Sequence, residues 1–188
     1  MKIEIDERDI FLRGKEVYLK VLTKQDVIHS NWYGWFNDEE LCKTLQKHYF
    51  PNSLEQQLEF YQANINTTSM TKIQLGVCKT NSPLILGIIS LNNIDYINRK
   101  AELSAVIGEP GGRNINVFRE SCQLICRHAF GTLNLNKVYG GSISKELVGL
   151  MCKFLKGKEE GILRSDIYKG GEYHDAFLYG ILKKDFYS

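Results

Sequence analysis

Residues 101–130 read AELSAVIGEPGGRNINVFRESCQLICRHAF, and only here does a strand pattern run straight into a polar, glycine-containing turn and then a long amphipathic helix. Ala101, Leu103, Ala105 and Ile107 alternate with Glu102, Ser104 and Val106 up to the cluster Gly108, Pro110, Gly111 and Gly112, the period and punctuation of a half-buried strand. From Val117 the apolar face is Val117, Ser121, Leu124, Ile125, His128 and Ala129, with Phe118, Cys122 and Cys126 beside it, which is helical spacing. The intervening turn, Gly111 to Asn116, opens that helix. A helix start preceded by pliable backbone offers unpaired N–H groups and a positive dipole end, which suits phosphate or pyrophosphate, and Arg113 adds a full charge. The same pattern also describes an ordinary strand-to-helix connection. It is neither a Walker loop nor a dinucleotide fingerprint, because Gly-Lys-Ser/Thr and Gly-x-Gly-x-x-Gly are both missing.

At 188 residues with a hydrophobic fraction of 43% and a charged fraction of 24%, the chain suits one globular domain, residues 1–188, with a core that needs no disulfide or metal. A net charge of +2 is too small for a nucleic-acid partner, so any anion site is local. The charged start from Met1 to Asp9 has no apolar signal core. The uncharged run from Thr80 to Ile94 is broken by Ser and Asn, short of a membrane span. These features predict a cytoplasmic protein without a membrane partner. The five cysteines, irregularly spaced, fit reduced thiols better than a disulfide framework. Cys122 and Cys126 stand on one helix face, and two thiols without a second pair make a poor zinc site, so no metal is expected.

Glu16 to Leu22 alternates as a first strand, and Thr23 stands before Asp26 as the N-cap of a helix expected to continue through Trp32, Tyr33, Trp35 and Phe36. A short helix carrying Leu41 and Leu45 follows Asn37-Asp38. Ser53 and Gln56 form a capping box ahead of the stripe Leu54, Leu58, Tyr61 and Ile65. Lys72 to Lys79 and Leu84 to Ile94 are strands joined by a turn cluster, and Asn98-Arg99-Lys100 leads into the strand at Ala101. Lys137 to Ser142 is a further strand, Glu146 to Leu155 a helix, and Ile162 to Tyr168 pairs with Tyr173 to Leu182. The class is α+β, a mixed and mostly antiparallel central sheet flanked by helices.

This order of elements resembles the GNAT superfamily of acyl-CoA-dependent N-acyltransferases. The resemblance is closest to the branch acetylating ribosomal-protein N-termini, polyamines and nucleotide-linked amino sugars. It rests on Val17 to Asp26, Trp35-Phe36-Asn37-Asp38, Leu86 to Leu91, Ala101 to Gly108, His128-Ala129-Phe130 with Leu133 to Val138, Glu160 to Arg164, and Tyr168 with Gly171 to Asp175. It implies a single GNAT-like domain and acetyl-CoA as co-substrate. Acetyl transfer would be direct, to a primary amine of a small molecule (a nucleotide-linked amino sugar or a polyamine) or of a protein N-terminus, in a monomer or homodimer. A degenerate member that binds acyl-CoA or a partner without efficient transfer is the alternative, and a plain interaction domain a third.

The resemblance also implies where the chemistry sits. Backbone groups of Leu103, Ala105, Val106 and Ile107 would hold the pantetheine arm like an added strand. Gly111, Gly112, Arg113, Asn114, Ile115, Asn116 and Val117 would carry the pyrophosphate. Asn114 and Asn116 replace glycines usual in the family, and Phe118 a usual small residue. Glu102 is the candidate base, its alternative being an exposed edge carboxylate. Cys152 occupies the place of the family's tyrosine, as proton donor to the leaving thiolate or as a packed thiol. Trp35, Asn37, His48 and Tyr173 fall where that branch builds its acceptor pocket.

Overall fold

The computed structural model describes residues 5–46 and 48–188, so the first residues of the Met1–Asp9 reading lie outside the described residues. The chain forms β1 (Ile10–Arg13), β2 (Val17–Val21), α1 (Lys24–His29), α2 (Trp32–Trp35), α3 (Glu39–Cys42) and α4 (Leu54–Asn64). It continues through β3 (Ile73–Lys79), β4 (Ile85–Asp95), β5 (Lys100–Ile107), α5 (Ile115–Gly131), β6 (Lys137–Ser142), α6 (Lys145–Leu155), β7 (Lys158–Lys169), β8 (Glu172–Leu182) and α7 (Lys183–Phe186). The strands form one sheet in the order β1-β2-β3-β4-β5-β6-β8-β7. Neighbours are antiparallel except β5 and β6, which are parallel. No helix among the described residues is long and apolar enough to cross a membrane.

Alternation along the strands divides the core into two layers. On one face Leu19, Val77, Ile89 and Leu103 pack with Val117, Ile125, Ala129 and Phe130 of α5 and Met151 and Leu155 of α6. On the other, Tyr18, Cys78, Ile85 and Ile88 pack with Val27, Trp32, Trp35 and Tyr61 of the N-terminal helices. Burial in this second layer pushes the Cys78 thiol up to about 12, so it behaves as a small apolar group. Glu120 ties α5 to the β1–β2 turn, its carboxylate accepting from the amides of Lys15 at 2.5 Å, Glu16 at 2.9 Å and Val17 at 3.2 Å.

The expected Thr23 N-cap and the expected Ser53–Gln56 capping box both form, and Asp26 completes a capping box with Thr23 as well. The first helix is shorter than its sequence suggests. It stops at His29, Ser30 is extended, and the aromatic residues form the separate α2. The Ser30 hydroxyl accepts from the Trp32 amide at 3.3 Å, a local bond of the kind that competes with helix continuation. Leu45 lies beyond the end of α3. Strand β1 escaped the sequence reading, being four residues long, and β7 starts at Lys158, earlier than the Ile162 of that reading.

Candidate active site

The only parallel pairing among the described residues, β5 with β6, has three rungs: Lys100 opposite Lys137, Ala101 opposite Val138 and Glu102 opposite Tyr139. Beyond Glu102 the strands part. Strand β5 stays paired to β4 as far as Ile107, while β6 stays paired to β8 as far as Ser142. Leu103 to Ile107 therefore keep a ladder on one side and present the other to the gap, and a strand edge of this kind suits an extended polar ligand.

The gap leads to the loop ahead of α5. The amides of Gly108 and Glu109 both donate to the Leu86 carbonyl, at 2.9 and 3.0 Å, and Pro110–Gly112 makes a short 3-10 turn. Gly112 is buried against Leu86 and Ile107, whereas a Cβ on Gly111 would meet nothing within 4 Å. Asn114 is extended and caps the helix, accepting from the Asn116 amide at 2.8 Å. No left-handed backbone is needed at either asparagine, so the tolerance of asparagine for that conformation is not what admits it here. A side chain good at capping replaces a flexible one, and by the usual scale that exchange alters helix stability by only a few tenths of a kcal/mol. Ile115 is exposed, Val117 is buried in the core, and Phe118 packs against the same α5-side core. The Arg113 guanidinium donates to the Gly108 carbonyl at 3.0 Å and lies 3.6 Å from the Asp38 carboxylate.

On the face opposite α5 lies a cavity of about 510 Å³. Its floor is Gln74 of β3, Ile88, Ser90 and Asn92 of β4, and Ser104 to Val106 of β5, so it touches the strand with the open edge. Trp32, Phe36 and Phe60 wall it, and residues 48–52 form its rim. His48 belongs to this rim, in a left-handed backbone conformation, with its ring Nδ1 3.2 Å from the Phe36 carbonyl oxygen. Trp35 and Asn37 do not line the cavity. Trp35 is buried and donates through Nε1 to Glu109 at 2.8 Å. Asn37 clamps the rim from outside, its amide group donating to the Asn52 carbonyl at 2.6 Å and accepting from the Asn52 amide at 2.8 Å. Tyr173 is 68% exposed at the β7–β8 tip, in edge contact with Tyr168. The Tyr168 carbonyl accepts from the Tyr49 hydroxyl at 2.9 Å, which joins that tip to the rim.

Glu102 faces an adjoining groove of about 370 Å³ with Lys100, Tyr139, Gly140, Glu160 and Asp166, and Gln46 lines both spaces. Its carboxylate accepts from Asn93 Nδ2 at 3.0 Å. Asn93 sits left-handed in an irregularity of the β4–β5 ladder, a conformation that asparagine tolerates. Cys152, on α6, is half-buried and lines neither space; burial, then the nearby Glu159 carboxylate, raises its thiol pKa. Sequence reasoning missed Tyr179. It lines the Glu102 groove, and burial, followed by Cys122, Cys126, Cys152 and Glu102, holds its phenol well above the ordinary range. Such a phenol stays protonated at neutral pH and is a potential donor. Its only sequence signal was a place in an apolar strand. Among the described residues no group of three or more His, Cys, Asp or Glu is arranged to hold a metal ion.

Comparison with known proteins bears on the family and the fold. Residues 16–145 match the profile of the acetyltransferase (GNAT) domain. A protein of Bacillus subtilis (strain 168), provisionally named ribosomal N-acetyltransferase YdaF, is 33% identical over 103 residues, 54% of this chain and 55% of that protein, so the match spans about half the length of the relative. The crystal structure of spermidine N-acetyltransferase from Vibrio cholerae in complex with CoA and spermine superimposes with a TM-score of 0.81 at 21% identity, over 93% of this chain and 100% of that one. A chimera of the spermidine N-acetyltransferase SpeG from Vibrio cholerae and hSSAT gives 0.78 at 21% identity, over 93% and 99%. At these identities the two structures speak to the fold alone.

Proposed function

Since the chain belongs to the acetyltransferase (GNAT) domain family, we propose that it is an acetyl-CoA-dependent N-acetyltransferase, residues 1–188 forming one domain, that acetylates a primary amine. The observation that carries this reading is the end of the β5–β6 ladder at Glu102 and Tyr139, because it leaves a strand edge that runs straight into a helix-opening loop. The pantetheine arm lies along Leu103, Ala105, Val106 and Ile107, and the pyrophosphate rests on Gly111 to Val117. Open space over Gly111 and the Arg113 charge fit that group. Acetyl-CoA supplies the acyl group as a thioester. The amine attacks the thioester carbonyl, the carbon–sulfur bond breaks, one proton leaves the nitrogen and one is delivered to the thiolate. Glu102 takes the amine proton, directly or through water, and the rim around His48, below the hairpin tip at Tyr173, admits the acceptor, with Asn37 holding that rim in shape and Trp35 bracing the loop through Glu109. Cys152 is the residue assigned to protonate the thiolate, a packed thiol being its alternative role.

Acetyl-CoA should raise the melting temperature, because a ligand of the native state adds stability, and thiol should be released when a suitable amine is added. A melting shift without thiol release from any amine would instead indicate an acyl-CoA-binding protein that does not transfer.

Arg113→Glu places a negative charge against the phosphates and should weaken acetyl-CoA binding by at least about tenfold, measured by calorimetry. Unchanged affinity in a folded variant would remove the pyrophosphate from this loop.

Proton delivery to the thiolate separates Cys152 from Tyr179. If the Cys152 thiol donates, Cys152→Ala lowers kcat by about tenfold or more and Tyr179→Phe does not. A Cys152→Ala variant with normal turnover would make Cys152 a packing residue, and loss of turnover in Tyr179→Phe with the fold intact would assign the donor role to the phenol.

A further inference from the structure

Strand β4 is irregular opposite the candidate base. Its register against β5 runs from Asn92 opposite Glu102 to Asp95 opposite Lys100, so β4 carries an extra residue there, a bulge. In a regular strand Leu91, Asn93 and Asp95 would share one face. Here Leu91 and Ile94 are both buried in the α5-side core, and Asn93 between them is left-handed, with a φ of 51°. Two consecutive side-chain amides therefore reach across to β5, where strict alternation would send only one. Asn92 Nδ2 donates to Ser104 Oγ at 3.2 Å, and Asn93 Nδ2 donates to Glu102 Oε2 at 3.0 Å. Ser104 lines the cavity and Glu102 the adjoining groove.

The bulge is anchored on its far side. Ile94 is 4% exposed and its amide donates to the Thr71 carbonyl at 2.8 Å. Asp95 holds the turn that follows, its carboxylate accepting from the amides of Ile97 at 2.9 Å and Asn98 at 2.8 Å. A bulge fixed in this way aims its extra side chain. Glu102, by contrast, is a flexible and partly exposed side chain. Among the described residues no other group hydrogen-bonds its carboxylate and no cation pairs with it, although Lys100 stands two residues along the same strand face and lines the same groove. Lys100 holds its ammonium 5.8 Å from the centre of the Tyr139 ring instead. Without the Asn93 amide, the carboxylate would be free to sample other rotamers and to turn towards that ammonium.

Resting on the reading of Glu102 as the base of the proposed transfer, we infer that Asn93 is a positioning residue whose amide holds Glu102 Oε2 and leaves Oε1 to take the amine proton, directly or through water. The bond is charge-assisted, and a base adds rate only when it waits within reach of the proton it removes. Asn93 touches no reacting atom itself, so its loss falls on kcat through Glu102 and spares acetyl-CoA binding.

Asn93→Gly removes the amide and keeps the left-handed backbone, which glycine adopts freely. It should lower kcat for thiol release by about tenfold, with the KM for acetyl-CoA and the melting temperature little changed. In a Glu102→Gln background the same substitution should alter kcat by less than about twofold, because residues that act through one another are not additive. Asn93→Asp keeps the shape without the donor and should lose at least as much as the glycine variant. A normal kcat in Asn93→Gly or Asn93→Asp beside an impaired Glu102→Gln, or an equal loss from Asn93→Gly in both backgrounds, would overturn the role of Asn93 and leave Glu102 as the base. A normal kcat in Glu102→Gln would remove the base and its positioning residue together. Should no amine be turned over, NMR still reads the contact. The Asn93 side-chain amide signal, identified by its loss in Asn93→Gly, should shift and exchange faster with solvent in Glu102→Ala, and an unmoved signal would overturn the hold of Asn93 on Glu102.

Discussion

Replacing Glu102 by Gln is expected to lower kcat by about a hundredfold, the scale of a lost general base, while acetyl-CoA affinity stays as it was. The substitution keeps the shape of the side chain and an oxygen able to accept from Asn93, which now bonds Glu102 at 3.0 Å. It removes the negative charge at the end of the β5–β6 ladder, where the groove opens. A carboxylate is a weaker base than an amine, so Glu102 acts on a positioned water or a tightly held amine. Loss confined to kcat and kcat/KM is the pattern of a contact made chiefly in the transition state. Steady-state thiol release decides the matter, and a kcat within threefold of wild type would return Glu102 to the status of an edge carboxylate.

Gly108→Ala should cause the largest loss of stability. A Cβ there would be driven into the indole of Trp35, which is 2% exposed and held by its bond to Glu109. Neither the ring nor the loop backbone, pinned by the Gly108 amide on Leu86, can retreat easily. Overpacking of this kind costs about 1–3 kcal/mol, which for a chain of this size lowers Tm by roughly 2–12 °C. Gly111→Ala, with nothing within 4 Å of the added carbon, is the control, expected to stay within about 0.5 kcal/mol. Equal melting temperatures for the two variants would show that Trp35 yields freely.

Those two glycines show what a sequence can and cannot disclose. Both stood in one punctuating cluster after β5, and the cluster marked the strand end and helix start correctly, since glycine and proline act there through local backbone preference. That Gly108 lies beneath Trp35 is a contact across 73 residues that local preference does not contain. Residues 101–130, the N-cap at Thr23, the capping box at Ser53 and the terminal hairpin were legible for the same local reason. Strand β7 was legible only from Ile162 onward because Lys158 to Gly161 carry no apolar residue from which a period could be read. In the site, the strand carrying Glu102 and Leu103 to Ile107 was readable from periodicity, and its proposed use from family resemblance. The family resemblance placed Trp35 at the acceptor pocket, whereas Trp32 lines the cavity and Trp35 supports the loop, a distinction that local sequence does not hold. Asn93 and Tyr179 had no distinguishing mark, since a polar residue in a strand or a tyrosine in an apolar strand acquires meaning only from what lies opposite it.

The three rungs between β5 and β6 make the eight-stranded sheet, mechanically, two stiff ribbons joined at a narrow neck. Within each ribbon the antiparallel ladders are long, and α5, which packs on strands of both, is the strap across the neck. A prying load applied to the ribbons falls on those few rungs and on that strap before it reaches any other ladder. A ligand lying along Leu103 to Ile107, as proposed above, would add backbone bonds beside the neck, and a load that spreads the ribbons would then work against its binding.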